Sequence, residues 1–254
     1  MKVISTETRE EAWLAAVSHL TKDAKNKLEY NLILEITRPA SESDFSRLIK
    51  SKFNSFLIQQ NLYPIETVAE TIFPASLYKR YGSEGVYEKY PNEIYPNIRK
   101  ISTNSRGTYA LRLVRGRKND GETINPLARI IDRLKSVANE NTGIRCAYEL
   151  SLDESDSIPI NRNDASIMAF PCLSHLSFKL SHDRKELHLT ALYRSQHFIK
   201  KAMGNLLGLA RLQDFVCREV GLKTGTLVCH ATYAKLDDEG MVKPFRHLVD
   251  SLHK

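Results

Sequence analysis

The feature that constrains this chain most is a pair of short runs in which apolar and polar residues alternate. The runs are LSFKL from Leu176 and LHLTALY from Leu187, and the polar turn SHDRKE lies between them. Alternation with a period of two is typical of β-strands that bury one face, so the sequence predicts a hairpin. Cys172 opens the first strand, and Arg194 and Ser195 close the second. Because antiparallel pairing places these ends side by side, we expect a thiol and an anion-binding pair at one edge of a sheet.

Composition places the chain among ordinary globular proteins. It has 254 residues, of which 42% are hydrophobic and 26% are charged, and this is enough for a sizeable core. We expect one domain spanning residues 1–254. The start, MKVISTETREEAW, lacks the apolar core of a secretory signal, and no apolar run approaches membrane length. The four cysteines show no metal-ligand spacing, which favours free thiols in a cytoplasmic setting without a bound metal or a membrane.

The net charge of +7 raises the hypothesis of nucleic-acid binding. The positive charges are spread along the chain, however, and a site for a phosphorylated metabolite also needs arginine and lysine. The tyrosine-rich stretch from Tyr78 to Asn104 is punctuated by proline and glycine, which predicts an irregular surface loop with short helical turns. Its alternation of aromatic and basic residues could stack on bases. We expect instead that these rings cover the core or line a cleft.

Apolar residues at helical spacing predict helices after Thr6 or Thr8, from about Ser43 to Gln59, and from Asn125. Strands are predicted from Glu29 to Thr37 and over the segment CAYELSL that follows the third helix. The residues expected to face the core are Trp13, Leu14, Val17 and Leu20 in the first helix, Phe45, Leu48, Ile49, Phe53, Phe56 and Leu57 in the second, and Leu127, Ile130, Ile131, Leu134 and Val137 in the third.

The segment from Pro171 to Asn205 resembles the active-site core of the thymidylate synthase superfamily. In that family a proline–cysteine supplies the nucleophile, an arginine–serine after the following strand grips the nucleotide phosphate, and an asparagine ten positions after the serine reads the pyrimidine. Pro171-Cys172, Arg194-Ser195 and Asn205 match this pattern, without a gap from the arginine to the asparagine. An asparagine side chain donates and accepts at the same time, so it suits the O4 and N3 edge of uracil.

The resemblance implies an α+β fold with a large mixed or antiparallel sheet that helices cover on one face. It also implies a homodimer that forms through the sheet. The resemblance is specific from about Ile130 to Val228, weaker from Glu70 to Arg112, and poor at both ends. Relative to the family, the C-terminus is short by the segment that closes over the folate.

The chemistry of the family explains the residue types. A pyrimidine C5 is a poor nucleophile, and addition of a thiolate at C6 turns the ring into an enolate that attacks a one-carbon electrophile from C5. The resemblance gives the thiolate to Cys172, with Arg194 as the cation that favours it. Glu70, in the run VAETIF, and Tyr109, in RGTYALRLVRG, match family residues that manage protons through ordered water.

Further nucleotide contacts follow from the same resemblance. Arg145 matches one of two arginines that, in the family, contact the phosphate bound to the partner subunit. At the ribose end, an alignment without a gap places Lys235 and Asp237 at the positions of the family's histidine and tyrosine. A shift by two residues aligns His230 with an upstream histidine and places Tyr233 at the ribose histidine. Both alignments stay open.

Two departures concern the one-carbon donor. The resemblance implies a reduced folate such as 5,10-methylenetetrahydrofolate. Where the family has an aspartate that contacts the folate, this chain has His197, and where it has a glycine that lets the folate approach, this chain has Lys201. A lysine there adds bulk and positive charge, so we expect an altered donor site.

Two functions from different classes follow. The first is a thymidylate synthase-like enzyme, a methyltransferase or hydroxymethyltransferase, that alkylates C5 of a dUMP-like pyrimidine nucleoside monophosphate through Cys172. The second is a pyrimidine-nucleotide-binding or sensing protein without folate chemistry. The cysteine favours the enzyme, whereas the altered folate contacts favour the binding protein. A third hypothesis, nucleic-acid binding through residues 78–117, predicts strong loss of affinity with salt.

Overall fold

The computed structural model describes residues 1–105, 107–117, 120–140, 144, 147–152, 171–237 and 239–252. The strands within these ranges are β1 (Lys2–Thr6), β2 (Leu28–Ile36), β3 (Gly116–Arg117), β4 (Thr123–Ile124), β5 (Tyr148–Ser151), β6 (Leu173–Leu180), β7 (Glu186–Tyr193), β8 (Gln196–His197) and β9 (Lys223–Lys235). All except β3 and β4, which form their own small pair, belong to one sheet with the order β1-β2-β9-β7-β6-β5, and β8 pairs with β9.

The large sheet is mixed and has one buried face. Strands β1 and β2 are parallel, as are β7 and β9, whereas β2 and β9, β6 and β7, and β5 and β6 are antiparallel. One row across the sheet is buried throughout: Ile4, Leu34, Cys229, Ala191, Leu176 and Leu150. The next row is half-buried or exposed: Ser5, Glu35, Val228, Thr190, Ser177 and Glu149. The core therefore lies on one side of the sheet, as period-two strands require.

Helices cover the buried face. They are α1 (Arg9–Lys22), α2 (Asp44–Gln59), α3 (Ile65–Glu70), α4 (Ala75–Glu84), α5 (Tyr95–Ile98), α6 (Tyr109–Val114), α7 (Pro126–Glu140), α8 (Met203–Val220) and α9 (Glu239–Leu252). Two π-helical segments, Gly85–Ile94 and Phe198–Ala202, and two 3₁₀ turns, Lys25–Lys27 and Ser102–Asn104, complete the helical elements of the described ranges. Among them, no helix combines the length and the apolar character needed to cross a membrane.

Several elements confirm the sequence predictions. The hairpin consists of β6 and β7, which pair antiparallel on either side of the polar turn. The Thr8 hydroxyl caps α1 by accepting from the Glu11 N–H, and the Glu11 carboxylate accepts from the Thr8 N–H, so the helix begins with a capping box. Helix α2 follows a Ser43 cap. The mixed sheet with its helices is an α+β architecture, compatible with the thymidylate synthase-like fold.

The predicted inward stripe of α2 was wrong at its first turn. Phe45 and Leu48 are 41% and 46% exposed, whereas Ile49 and Phe53 are buried. The inward position in the first turn is Ser46, which is buried and donates from Oγ to the Thr8 Oγ1 at 2.9 Å. Burial of Ile49, Phe53, Phe56 and Leu57 sets the rotation of the helix, and this rotation places Ser46 inward and the two large apolar side chains outward.

The prediction of an irregular loop from Tyr78 to Asn104 was also wrong. Helix α4, the first π-helical segment and α5 make residues 75–98 helical. The rings of Tyr78 and Tyr87 pack edge-on against Phe215 of α8 at centroid distances of 4.8 and 6.0 Å. Burial of these aromatic rings outweighs the low helix propensity of the glycines and prolines. The sequence analysis also missed β1, an edge strand parallel to β2.

Helix α3 lies unusually close to α8 because α8 presents two glycines one turn apart. A Cβ atom added to Gly204 would lie 2.5 Å from the Val68 Cβ, and one added to Gly208 would lie 2.8 Å from the Ala69 carbonyl oxygen. These distances are shorter than van der Waals contact, so only glycine fits. The contact fixes Glu70, the last residue of α3, relative to the start of α8.

Two buried polar side chains fix α8 and the segment before it against the rest of the core. The Gln213 amide donates to the Leu187 carbonyl of β7 at 2.8 Å and to the Gly225 carbonyl of β9 at 3.0 Å. The Trp13 indole of α1 donates to the Phe198 carbonyl at 2.8 Å. Sheet, α1 and α8 are therefore joined by specific contacts as well as by apolar packing.

We expect Gly208→Ala to destabilise the protein by about 1–3 kcal/mol, because overpacking at the contact of α3 and α8 exceeds the gain in helix propensity. The matched control is Gly240→Ala in α9, where an added Cβ meets nothing within 4 Å. Urea unfolding of both variants tests this. Equal stabilities of the two variants would show that α3 can move away from α8 without cost.

Candidate functional site

The ends of the hairpin meet at one edge of the sheet. The Arg194 N–H donates to the Cys172 carbonyl oxygen at 2.9 Å, and the Arg194 Nε donates to the Pro171 carbonyl oxygen at 3.2 Å. Ser195 follows and is half-buried, whereas Arg194 is exposed. The thiol and the arginine–serine pair are therefore neighbours, as the alternation of the two strands predicts.

Tyr109 lies against the backbone of the cysteine. It is the first residue of α6, whose Thr108 cap accepts from the Leu111 N–H, and its hydroxyl accepts from the Leu173 N–H at 3.2 Å. Burial raises the pKa of Tyr109 to about 12, and the neighbouring Cys172 acts in the same direction. The hydroxyl is therefore neutral near pH 7 and stays available as a hydrogen-bond partner beside the thiol.

A second tyrosine lies deeper in the same region. Tyr193 ends β7 and is fully buried, and burial raises its pKa well above the usual value, with Tyr109, Cys229 and Cys172 adding to the effect. Within the described ranges its hydroxyl has no hydrogen-bond partner. The sequence analysis did not single out Tyr193, since a tyrosine at an inward strand position is indistinguishable from any other core residue.

The described cysteines differ in accessibility. Burial raises the pKa of Cys217 to about 11 and that of Cys229 to about 12, and both side chains are enclosed. Cys172 is half-buried at the end of the sheet. Because a thiolate reacts and a buried thiol does not ionise readily, Cys172 has the setting of a nucleophile among these three. Cys146, expected from the sequence to be a buried packing residue, lies outside the described residues.

Lys201 interacts through charge with the cysteine and with a buried acid. Its pKa is lowered by burial, while Cys172 and Asp237 act in the opposite direction, so both lie within range of charge interactions. Its Nζ is 5.6 Å from the centroid of the Tyr63 ring. The sequence analysis treated Lys201 only as a departure from the family. Its helical spacing of four residues from Asn205 is the signal that it shares a face with that residue.

Asn205 is in the first turn of α8 and is 6% exposed. In the part of the chain that the structure describes, its side-chain amide forms no hydrogen bond. Glu70 differs in this respect. Its two carboxylate oxygens accept from the Ser76 N–H at 3.1 Å and from the Ser76 hydroxyl at 2.9 Å, so it acts as a cap of α4 and makes no direct contact with Cys172.

Of the residues expected at the ribose end, Lys235 and Asp237 share His197 as a neighbour, whereas Tyr233 has a different partner. Tyr233 packs against the exposed Tyr30 with ring centroids 5.8 Å apart. Lys235 pairs with His197 across β9 and β8. The Asp237 side chain is fully enclosed and bonded to neighbouring groups. These positions do not decide between the two alignments. Arg145 lies outside the described residues.

No cluster of three or more histidine, cysteine or acidic side chains that could hold a metal occurs among the described residues. What the structure brings together is a half-buried thiol, a neutral tyrosine hydroxyl, an arginine and a lysine at one end of a mixed sheet. Groups of these types can form a covalent bond and bind an anion.

Comparison with known proteins agrees with this description. No protein-family model matches the chain. Over 150 residues it is 29% identical to a protein of Methanothermobacter marburgensis named "Putative thymidylate synthase", and the match covers 59% of this chain and 57% of that protein.

Two further relatives with the same printed name are similar over shorter regions. The protein of Methanococcoides burtonii is 35% identical over 75 residues, which are 30% of this chain and 34% of that protein. The protein of Methanocaldococcus jannaschii is 26% identical over 110 residues, or 43% and 46% of the two chains. The matches thus span between a third and just over half of the relatives' length. They support a divergent thymidylate synthase-like family for this chain and confirm the resemblance carried by its motifs.

A short pulse of iodoacetamide at neutral pH is expected to label Cys172 before Cys217 and Cys229, because the latter two are buried and hard to ionise. Mass spectrometry of the digested protein gives the order, and a pulse in denaturant gives the control in which all three react. Faster labelling of either buried cysteine in the folded protein would reduce Cys172 to a packing residue.

Lys201→Met is expected to slow alkylation of Cys172 roughly threefold to tenfold, because a nearby cation favours the thiolate. Lys200→Met is the control, since it removes the same charge from the adjacent position. The rates are followed by mass spectrometry at several ionic strengths. Equal slowing in both variants would mean that the net positive charge of this region, and not Lys201 in particular, sets the alkylation rate of Cys172.

Proposed function

We propose that this chain is an enzyme that alkylates C5 of a uridine-type nucleotide by adding Cys172 to C6. One observation carries the proposal. The half-buried thiol lies beside Tyr109 and Arg194, which hydrogen-bond to the backbone of residues 171–173, and it is within charge range of Lys201. The names of the relatives point to the same transferase class.

The nucleotide is proposed to lie between the sheet edge and the start of α8. Arg194 and Ser195 bind the phosphate, since a guanidinium and a hydroxyl are matched to phosphate oxygens. Asn205 accepts from N3–H and donates to O4 of the pyrimidine, which selects uracil over cytosine. Arg145 and the residues Tyr233, Lys235 and Asp237 stay predictions for the phosphate and the ribose.

The reaction proceeds through a covalent adduct. The Cys172 thiolate forms a bond to C6, and the electrons of the C5–C6 double bond move to give an enolate at C5 and O4. The enolate forms a bond from C5 to the one-carbon electrophile. Loss of the C5 proton restores the enolate, which expels the thiolate and regenerates the double bond. Tyr109 donates a hydrogen bond that stabilises the negative charge of the enolate as it develops.

The donor is the altered part of this site. A reduced folate such as 5,10-methylenetetrahydrofolate is the donor that the resemblance implies. The residues present do not fit the family's way of holding it, because the Lys201 side chain lies above the Tyr63 ring and His197 is bonded to Asp237. We therefore propose an altered one-carbon donor.

Two properties of the assembly belong to the same proposal. The half-buried face of the sheet carries no helix among the described residues, and a second copy of the chain is proposed to cover it in a homodimer. We also propose that residues 1–254 form one domain.

The alternative is a pyrimidine-nucleotide-binding or sensing protein without this chemistry. The observation that favours it is Glu70, because both of its oxygens already accept hydrogen bonds from Ser76. A carboxylate that caps a helix is less able to orient a catalytic water molecule than a carboxylate without such hydrogen bonds.

The experiment that tests the proposed function is release of tritium from a nucleotide labelled at C5. Wild type is expected to release tritium into water without any donor, because exchange needs only addition at C6 and proton transfer at C5, and Cys172→Ala is expected to release none. With 5,10-methylenetetrahydrofolate added, no thymidylate is expected. A thermal-shift panel of purine and pyrimidine monophosphates gives the matched binding measurement.

The outcomes separate the candidates. Thymidylate formation would show that the folate site is intact despite Lys201 and His197. A pyrimidine-specific rise of the melting temperature without tritium release would identify the binding protein. Equal effects of purines and pyrimidines would contradict the roles of Arg194, Ser195 and Asn205.

A further inference from the structure

Asp237 is a buried carboxylate with a specific set of partners. Its Oδ2 accepts from the Ile199 N–H at 2.8 Å and from the Lys200 N–H at 3.0 Å, and its Oδ1 is 2.7 Å from the His197 Nδ1. The side chain is 0% exposed. The backbone φ of Asp237 is 129°, a region that residues other than glycine rarely adopt. Strain of this kind persists where the surroundings over-determine it, and it concentrates at functional sites.

The carboxylate settles which nitrogen of His197 carries the proton. An ionised carboxylate only accepts, so Nδ1 must donate to Asp237, and in the neutral ring Nε2 is left as an acceptor. In the described part of the chain no group hydrogen-bonds to Nε2. The His197 side chain is 36% exposed while its partner acid is fully enclosed. An enclosed acid that orients a histidine with an open Nε2 is the arrangement of a general base.

The dyad belongs to the same end of the sheet as Cys172. His197 follows Arg194 by three residues and forms part of β8, which pairs with the end of β9. Gln196, the residue before His197, points into the core, where its Oε1 lies 3.7 Å from the Cys229 Sγ. Lys201, four residues after His197, is within range of charge interactions with both Asp237 and Cys172.

Both acidic and basic side chains lie around the His197 imidazole, and they have opposite effects on its protonation. Asp237 favours the protonated ring, whereas Lys201, Lys200 and the strand neighbour Lys235 disfavour it. A base must lose its proton readily to be ready for the next turnover and must hold it long enough to transfer it. Histidine in general is the side chain that ionises nearest to neutral pH, which suits this role.

Glu70, the base that the resemblance implies, is bonded to Ser76 through both oxygens, whereas the His197 Nε2 is not engaged by any described group. We propose, resting on the proposed function, that the His197 Nε2 is the general base that moves the C5 proton and that Asp237 is its positioning residue. Nε2 takes the proton from C5, the electrons of the C–H bond return to the ring as the enolate, and the enolate expels the Cys172 thiolate from C6. The imidazolium then gives the proton to water.

The test compares His197→Gln, Glu70→Gln and wild type in C5 tritium release between pH 5 and 9. General acid–base catalysis contributes about 10²–10⁴-fold, so His197→Gln should lose about 100-fold or more of the release rate. It should also lose the acid limb of the pH profile, while Glu70→Gln keeps that limb. The nucleotide-induced thermal shift and the alkylation rate of Cys172 should stay at wild-type values in His197→Gln, which separates proton transfer from folding and binding.

Chemical rescue distinguishes a general base from a residue that only supports the structure, because added imidazole can replace the first and not the second. In His197→Ala, imidazole added to the buffer should restore tritium release in proportion to its neutral form. Asp237→Asn removes the charge that favours the protonated ring, so its acid limb should move to lower pH.

Retention of the rate and of the acid limb in His197→Gln, together with loss of both in Glu70→Gln, would overturn the assignment and leave the proposed function standing. Absence of release from wild type with the nucleotide bound would overturn the proposed enzyme and the assignment together.

Discussion

The hydrogen bond from the Arg194 N–H to the Cys172 carbonyl oxygen is the contact on which the site depends. It is the last contact of a hairpin whose register is set further along by buried pairs such as Leu176 and Ala191. A slip of one residue would move every inward side chain of β6 or β7 to the outer face, which apolar burial forbids. The free energy of the core therefore holds a half-buried thiol next to an exposed guanidinium, although neither group contributes much to that free energy.

Contacts with three distant parts of the chain also hold the segment from His197 to Asn205 in place. Trp13 binds the Phe198 carbonyl, Asp237 binds the next two N–H groups, and Gly204 allows α3 to approach closely. Because these contacts come from α1, the residue pair after β9, and α3, the face that carries Lys201 and Asn205 cannot move without disturbing all three. Preorganisation of this kind is what a site needs if its groups are to act on charge that develops during a reaction.

The fold was predictable where a single periodicity dominated. The hairpin, α1 with its Thr8 cap, and the buried residues Ile49 and Phe53 of α2 follow from spacing alone. Phe45 and Leu48 did not, because the apolar stripe was predicted too wide and the inward position of the first turn is Ser46, bonded to Thr8. The tyrosine-rich stretch was misjudged for a related reason. Its glycines and prolines favour a loop locally, and only the packing of Tyr78 and Tyr87 on Phe215, far away in the sequence, makes the helical form stable.

The sequence by itself predicted that the thiol and the arginine–serine pair lie at the same end of the hairpin, because alternation sets the pairing of β6 with β7. The exact partners at that end depend on a β-bulge between Leu173 and His175, which shifts the register by one residue. The sequence also singled out Asn205, through its spacing from Ser195. Only the tertiary structure decided how the remaining polar groups are used. In the structure Glu70 accepts hydrogen bonds from Ser76, Asp237 is enclosed beside His197, and Lys201 is within range of charge interactions with an acid and a thiol. Those assignments depend on contacts between residues six to 40 positions apart, or on charge felt through space, and no local pattern encodes such distances.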